Sequence, residues 1–268
     1  MWTRLVDVTV AIGEWVLDRL DRWVARASLI GNAPLLDPTE FAWTRALEAG
    51  WPEMRAELDR LLVRGEALPN FQDISTDQAT ITDDDRWKTY FLYGFGFRSD
   101  ANCARCPETA RLVAAVPGLQ TAMFSILAPG KHIPEHCGPY KGLVRYHLGL
   151  KVPADTDRCR IRIDDRIATW SEGASLMFDD TYEHEVWNDT EEERVVLFLD
   201  IVRPLQFPMN HLNAFVLRAI AISPFVADAK RRQREWEDRF NATAAMPAPP
   251  STVRARRRAA TSRSSSEE

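Results

Sequence analysis

Between Gly118 and Pro204 the chain repeats one unit, a short apolar run followed by a turn signal. The runs are TAMFSIL (121–127), LVRYHLGLKV (143–152), CRIRI (159–163), ASLMFD (174–179), EHEVWN (183–188) and ERVVLFLDIV (193–202). PG, DD and EG pairs lie between them, at roughly ten-residue spacing. Runs this short cannot each bury a helical stripe, but they can pair edge to edge, which makes an antiparallel sandwich or barrel the predicted core. An eight-stranded jelly roll fits the length.

Helical patterns flank this block. From Trp2 to Ala27, Leu5, Val8, Ile12, Val16, Leu20 and Trp23 recur at steps of three and four, the mark of an amphipathic helix. Such a helix either docks on the main domain or lies on a membrane surface, where Trp and Arg are the expected anchors. A second helical pattern covers 38–64, with Asp37 placed to cap it, Pro38 suited to its first position and Pro52 marking a break. Residues 68–85 lack periodicity and read as a loop, WKTYFLYGFGF (87–97) as a strand meeting a turn, and Cys106 to Val116 as a short helix. The predicted organisation is an N-terminal helix over 1–34, a main domain over 35–204 with its β core at 118–204, helices over 205–243, and a disordered tail over 244–268. The tail is rich in Pro, Ser and Arg, a composition that cannot bury a core.

Composition removes several function classes. With 34 basic and 39 acidic residues the formal charge is −5, so no basic face for nucleic acid is expected. Four cysteines in 268 residues are too few and scattered for a disulfide framework. CARC at 103–106 lacks the second ligand pair a structural zinc needs. No signal peptide is legible, and no apolar run reaches the ~18 residues of a spanning helix. The expected location is cytoplasmic, with attachment at the cytoplasmic face of a membrane as the alternative that the terminal segments raise.

Alternate residues of a strand face one interior. Arg145 and His147 therefore share a face, as do His136 and Gly138 if the strand extends that far; Cys137 points the other way. Arg194 lies on the side of Val196 and Phe198, and Ser125 and His184 lie on neighbouring runs. Imidazole suits Fe, Zn, Cu and Ni, while a guanidinium fork in an apolar pocket suits a carboxylate. Two histidines and a buried arginine together describe a metal site beside an anionic co-substrate.

HCGPYKGLVRYHLGL, WSEGASLMFDDTYEHEVWN and ERVVLFLDIVRP resemble the aspartyl/asparaginyl β-hydroxylase family of Fe(II)/2-oxoglutarate-dependent dioxygenases, which also includes bacterial hydroxylases of lipid acyl chains. The resemblance runs from about Thr121 to Pro204, with NAPLLDPTEF and WKTYFLYG weaker matches. It implies a double-stranded β-helix of the cupin-like kind, mainly β with flanking helices. It implies His136 and His184 as the iron ligands and Arg194 as the partner of the far carboxylate of 2-oxoglutarate. Ser125, Arg145 and His147 become further contacts to that co-substrate. The His-x-Asp pattern of many such oxygenases is His-x-Gly here, so water is expected where the carboxylate would stand, and iron should bind weakly until 2-oxoglutarate chelates it. Glu135, Asp179, Asp180 and Glu185 are the carboxylates near enough in sequence to reach the metal or its water. Asp180 itself reads as turn chemistry. Trp87, Tyr90 and Trp187 are candidate pocket walls.

The implied reaction consumes 2-oxoglutarate and O2 and hydroxylates an unactivated C–H bond, on an Asp or Asn side chain or on a lipid acyl chain. Two other readings stand beside it: a cupin-like module that binds metal or ligand without turnover, and a membrane-surface adaptor.

Overall fold

A seven-stranded and a four-stranded antiparallel sheet lie face to face in the computed structural model, which describes residues 17–63 and 68–245. The first half of the N-terminal amphipathic repeat and the Pro/Ser/Arg-rich tail lie outside the described residues. The large sheet runs in the order β1 (Leu35–Leu36), β9 (Ser175–Phe178), β6 (Leu143–Lys151), β11 (Arg194–Val202), β4 (Leu119–Leu127), β2 (Trp87–Gly94) and β3 (Phe97–Arg98). The small sheet runs β5 (Lys131–His136), β10 (His184–Asn188), β7 (Cys159–Ile163) and β8 (Arg166–Thr169). Strands β4 to β11 form the jelly roll expected from the sequence. Six of them are the runs quoted above; β5 and β8 are the other two.

Each face of the large sheet has its own core. On the inner face Trp87, Met123, Leu127, Phe178, Val196 and Phe198 meet Ile133, Cys159, Ile161, Ile163 and Val186 of the small sheet. On the outer face Tyr90, Phe124, Tyr146, Leu197 and Leu199 pack under helices α2 (Thr44–Ala49), α3 (Trp51–Leu62), α6 (Pro107–Ala114) and α8 (Pro224–Ala245), which contribute Leu47, Met54, Leu58, Val113 and Trp236. The central strand β11 is thus buried on both sides, which is why its sequence is a nearly unbroken apolar run without alternation. Arg194 and Asp200 are the charges in that run, and both lie on the inner face.

The remaining helices are α1, described over residues 17–27, α4 (Phe71–Ile74), α5 (Asp100–Arg105) and α7 (Met209–Ala221). Three local expectations change. The break in the 38–64 pattern falls at Gly50, and Pro52 sits in the first turn of α3, where its missing N–H is harmless. Asp37 caps only a 3-10 turn, Pro38–Glu40. The segment expected to be a loop carries α4 and a 3-10 turn over Thr76–Thr80, both too short to show a period. Cys103 and Cys106 are buried free thiols in and beside α5.

Candidate active site

The inner face of the large sheet gathers four of the residues singled out from sequence. Register pairs Val196 with Ser125 and Phe198 with His147, and Asp200 with Arg145; directly opposed residues share a face. Arg194 continues the same row, opposite Leu127.

His136 reaches this interior through an irregularity. In the pairing of β5 with β10, Ile133 lies opposite Val186 and His136 opposite His184. Three steps on β5 therefore match two on β10. Strict alternation from inward Ile133 would turn His136 outward, and the extra residue turns it back in. The two imidazoles stand with ring centroids 4.1 Å apart.

Both rings are held in the same way. His136 Nδ1 lies 2.8 Å from the Pro134 carbonyl oxygen and His184 Nδ1 2.9 Å from that of Tyr182. A carbonyl can only accept, so the proton of each neutral ring sits on Nδ1 and Nε2 carries the lone pair an ion takes. Burial favours that neutral form. It lowers the pKa of His136, and burial followed by the nearby His136 and Arg145 brings His184 down to about 3. Among the described residues no cluster of three or more His, Cys, Asp and Glu side chains is arranged to hold a metal. The residues fit an ion that takes two imidazoles and draws its other ligands from elsewhere.

Deeper in, buried donors lack acceptors. Arg194 is 2% exposed, and its Nε and Nη1 have no hydrogen-bond partner. Its guanidinium lies over the Trp170 ring at 4.6 Å, and burial lowers its pKa to about 10. His147 Nδ1 accepts from Trp170 Nε1 at 3.2 Å, which puts its proton on Nε2, and that atom is also buried without a partner. Ser125 Oγ accepts from Trp87 Nε1 at 3.1 Å, leaving its own hydroxyl proton to donate. Each buried, unsatisfied donor costs about 1–3 kcal/mol, more for a charged group. Donors from three strands around one arginine suit a carboxylate.

Arg145 is placed differently. Its Nη2 contacts Asp180 Oδ2 at 2.8 Å, its Nε donates to Asp200 Oδ1 at 3.1 Å, and its guanidinium lies 4.4 Å over Phe198. Asp200, which the sequence reading missed, shows there only as a charge in the apolar run of β11.

The structure also resolves the carboxylates. Glu135 and Glu185 face outward and pair with Arg162. Asp179 is fully buried against Arg203 at 2.5 Å and Lys141 at 2.6 Å, and its Oδ1 accepts from the Thr181 amide. The turn chemistry expected of Asp180 therefore belongs to Asp179. Asp180 turns inward, and a Cβ built at Gly138 would lie 2.2 Å from its Oδ2. A Cβ at 138 would stand where that carboxylate lies, so glycine at this position makes room for Asp180. Burial, offset in part by Arg145, raises the Asp180 pKa to about 6. Of the three aromatic walls, only Trp87 faces the interior. Tyr90 stacks near Phe124 in the helix-side core, and Trp187 stacks on His132 on the outer face of the small sheet.

A jelly roll with paired inward imidazoles and an unpaired buried arginine is now defined, and residues 48–204 match the family model described as aspartyl/asparaginyl beta-hydroxylase. The chain belongs to that family. Within it, the chain is 48% identical over 215 residues to the ornithine lipid ester-linked acyl 2-hydroxylase of Rhizobium tropici, covering 80% of this chain and 76% of that protein. It is 31% identical over 179 residues to the human aspartyl/asparaginyl beta-hydroxylase, covering 63% of this chain but only 23% of the human protein. A Pseudomonas putida prolyl-4-hydroxylase structure aligns with 57% of this chain and 88% of its own, at 18% identity and a TM-score of 0.40.

Proposed function

We propose that the protein is an Fe(II)- and 2-oxoglutarate-dependent dioxygenase that hydroxylates the acyl chain of a lipid. The observation that carries the reading is Arg194: a fully buried guanidinium with two unpaired donors, in reach of the same interior as two neutral imidazoles. A structural arginine in a core would be paired. In this reading His136 and His184 hold the iron through Nε2, their Nδ1 protons fixed on the carbonyls of Pro134 and Tyr182. Arg194 and the Ser125 hydroxyl take the far carboxylate of 2-oxoglutarate, with the His147 Nε2 proton directed into the same interior. Arg145, oriented by Asp200, holds the Asp180 carboxylate against Gly138, two residues after His136. Bound iron and 2-oxoglutarate supply the oxidising power: one oxygen atom of O2 enters succinate as CO2 is lost, and the other enters the C–H bond. Phe178, Phe198, Val196 and Ile163 keep bulk water from this interior. The 48% identity to a lipid hydroxylase supports a lipid over an Asp or Asn side chain.

The test is succinate release with Fe(II), 2-oxoglutarate and either an ester-linked amino-acid lipid or an Asp/Asn-containing peptide. Release with the lipid, together with lipid that has gained one oxygen atom, is the expected result; release with the peptide alone would overturn the substrate. Arg194→Lys keeps the charge but loses the fork. It is expected to raise the apparent KM for 2-oxoglutarate about tenfold or more, roughly 1.4 kcal/mol. An unchanged KM would remove Arg194 from the co-substrate site.

A further inference from the structure

Helix α7 is apolar on two opposite faces. Its inward face, Asn213 and Leu217 with Val216 and Ile220 beside them, packs with Val24 of α1, Tyr140 and Leu205. Its outward face presents Leu212, Phe215, Ala219 and Ile222, spaced at three and four residues along one stripe. Phe215 is 68% and Ile222 85% exposed, and the neighbouring Phe207, in the turn before the helix, is 79% exposed. An ordinary surface helix turns charge to water on this side. Single exposed apolar residues are unremarkable, but a contiguous row of large ones marks a contact surface.

The geometry points to this face as the surface on which the protein docks to an anionic lipid bilayer, a step that rests on the lipid substrate proposed above. Charge favours that occupant. From Met209 to Arg234 the chain carries five basic residues and one acidic, Asp228, while the whole chain has a net charge of −5. Arg231 and Arg232 pair with Asp228, but Arg218 lies on α7 itself and Lys230 reaches back to the Ala221 carbonyl, and cations flanking an apolar stripe suit anionic headgroups over an acyl layer. By length and composition α7 and α8 together match a span bent by 54°, although no single described helix is long and apolar enough to cross a membrane. Their packing favours the interface instead, because Trp236 and Phe240 of α8 lie in the helix-side core.

The same layer is wired to the catalytic strands. Tyr140 Oη donates to Asn213 Oδ1 at 2.7 Å, the Lys141 amide to Asp21 Oδ1 at 2.9 Å, and Asn213 Nδ2 to the Gly142 carbonyl at 2.9 Å. Residues 137–142 are the loop that leaves β5 directly after His136. Helices α1 and α7 thus sit on the loop that follows His136, so a bilayer against α7 would lie on the histidine side of the sandwich.

Flotation of the full chain with phosphatidylcholine vesicles, with and without phosphatidylglycerol, tests the proposal. Binding that increases with phosphatidylglycerol is expected, and Phe215→Asp combined with Ile222→Asp should weaken it at least about tenfold, given the apolar area removed. The same variant should hydroxylate detergent-dispersed lipid as the parent does and lose turnover only on vesicles. Failure of the intact chain to bind, or equal binding by the variant, overturns the docking face. So does a parent that sediments as a dimer while the variant is monomeric, since a second copy would then cover the stripe. Vesicle binding lost in the variant, with no lipid hydroxylated in either form by the parent, would retain the docking face and reject the substrate.

Discussion

Alanine at position 184 is expected to lower turnover at least about 10³-fold, roughly 4 kcal/mol of lost barrier reduction. His184 opens β10 and faces His136 across the small sheet. No other described histidine stands beside His136 to replace it, because the third histidine of the interior, His147, has Nδ1 committed to Trp170. Bound iron, measured by metal analysis after gel filtration, should fall with activity. Thermal stability should fall by only about 1–3 kcal/mol, the range for a buried side chain lost from a core. His132→Ala is the matched control. It removes a histidine from the same strand as His136, but one that is exposed, stacked on Trp187 and bonded to Glu185 on the far side. Its turnover should match the parent. A His184→Ala enzyme retaining a tenth of the activity would disprove the metal assignment.

Gly138→Ala is the second large effect. The added Cβ would meet the Asp180 carboxylate at 2.2 to 2.7 Å, and Asp180 cannot simply swing away because Arg145 holds it. Forcing it out breaks a buried ion pair, at about 3–5 kcal/mol. For a domain of this size that corresponds to a fall in Tm of roughly 6 to 20 °C. Gly138→Ala combined with Asp180→Gly removes the clash and should recover much of the stability, since Arg145 keeps Asp200. A melting temperature unchanged in the single variant would show that the loop relaxes freely. For the same reason Gly138→Asp, which writes a His-x-Asp pattern into the chain, should disrupt the site rather than add a ligand.

The glycine at 138 shows where sequence reading stops. That the position is a glycine is visible, and so is the departure from His-x-Asp, but the reason lies 42 residues away in a side chain that looked like part of a turn. Arg194 was legible because the ERVVLFLDIVRP run of β11 carries the family resemblance. Asp200 interrupts the same run and was passed over, since nothing in a single strand says which of two charges faces a partner. Strands with clear turn signals were read closely; CRIRI coincides with β7. Strand β5 was not, because KHIPEH contains a proline and an irregularity, and both erase the period-two pattern. Tyr90 and Trp187 were misplaced for a related reason: aromatic content says that a residue is packed, and only register says against which face.

The extra residue in β5 ties the orientation of His136 to backbone pairing rather than to the two residues before it. Substitutions at Pro134 or Glu135 leave the count intact, so this strand can drift in composition while His136 keeps its orientation. Loss of a single codon there would leave two steps on β5 against two on β10, and plain alternation from Ile133 would still bring the imidazole inward. A regular strand has no such reserve, because one residue lost from it flips every later side chain. Relatives of this protein are therefore expected to tolerate a difference of one residue between Ile133 and His136 and still keep the histidine pair.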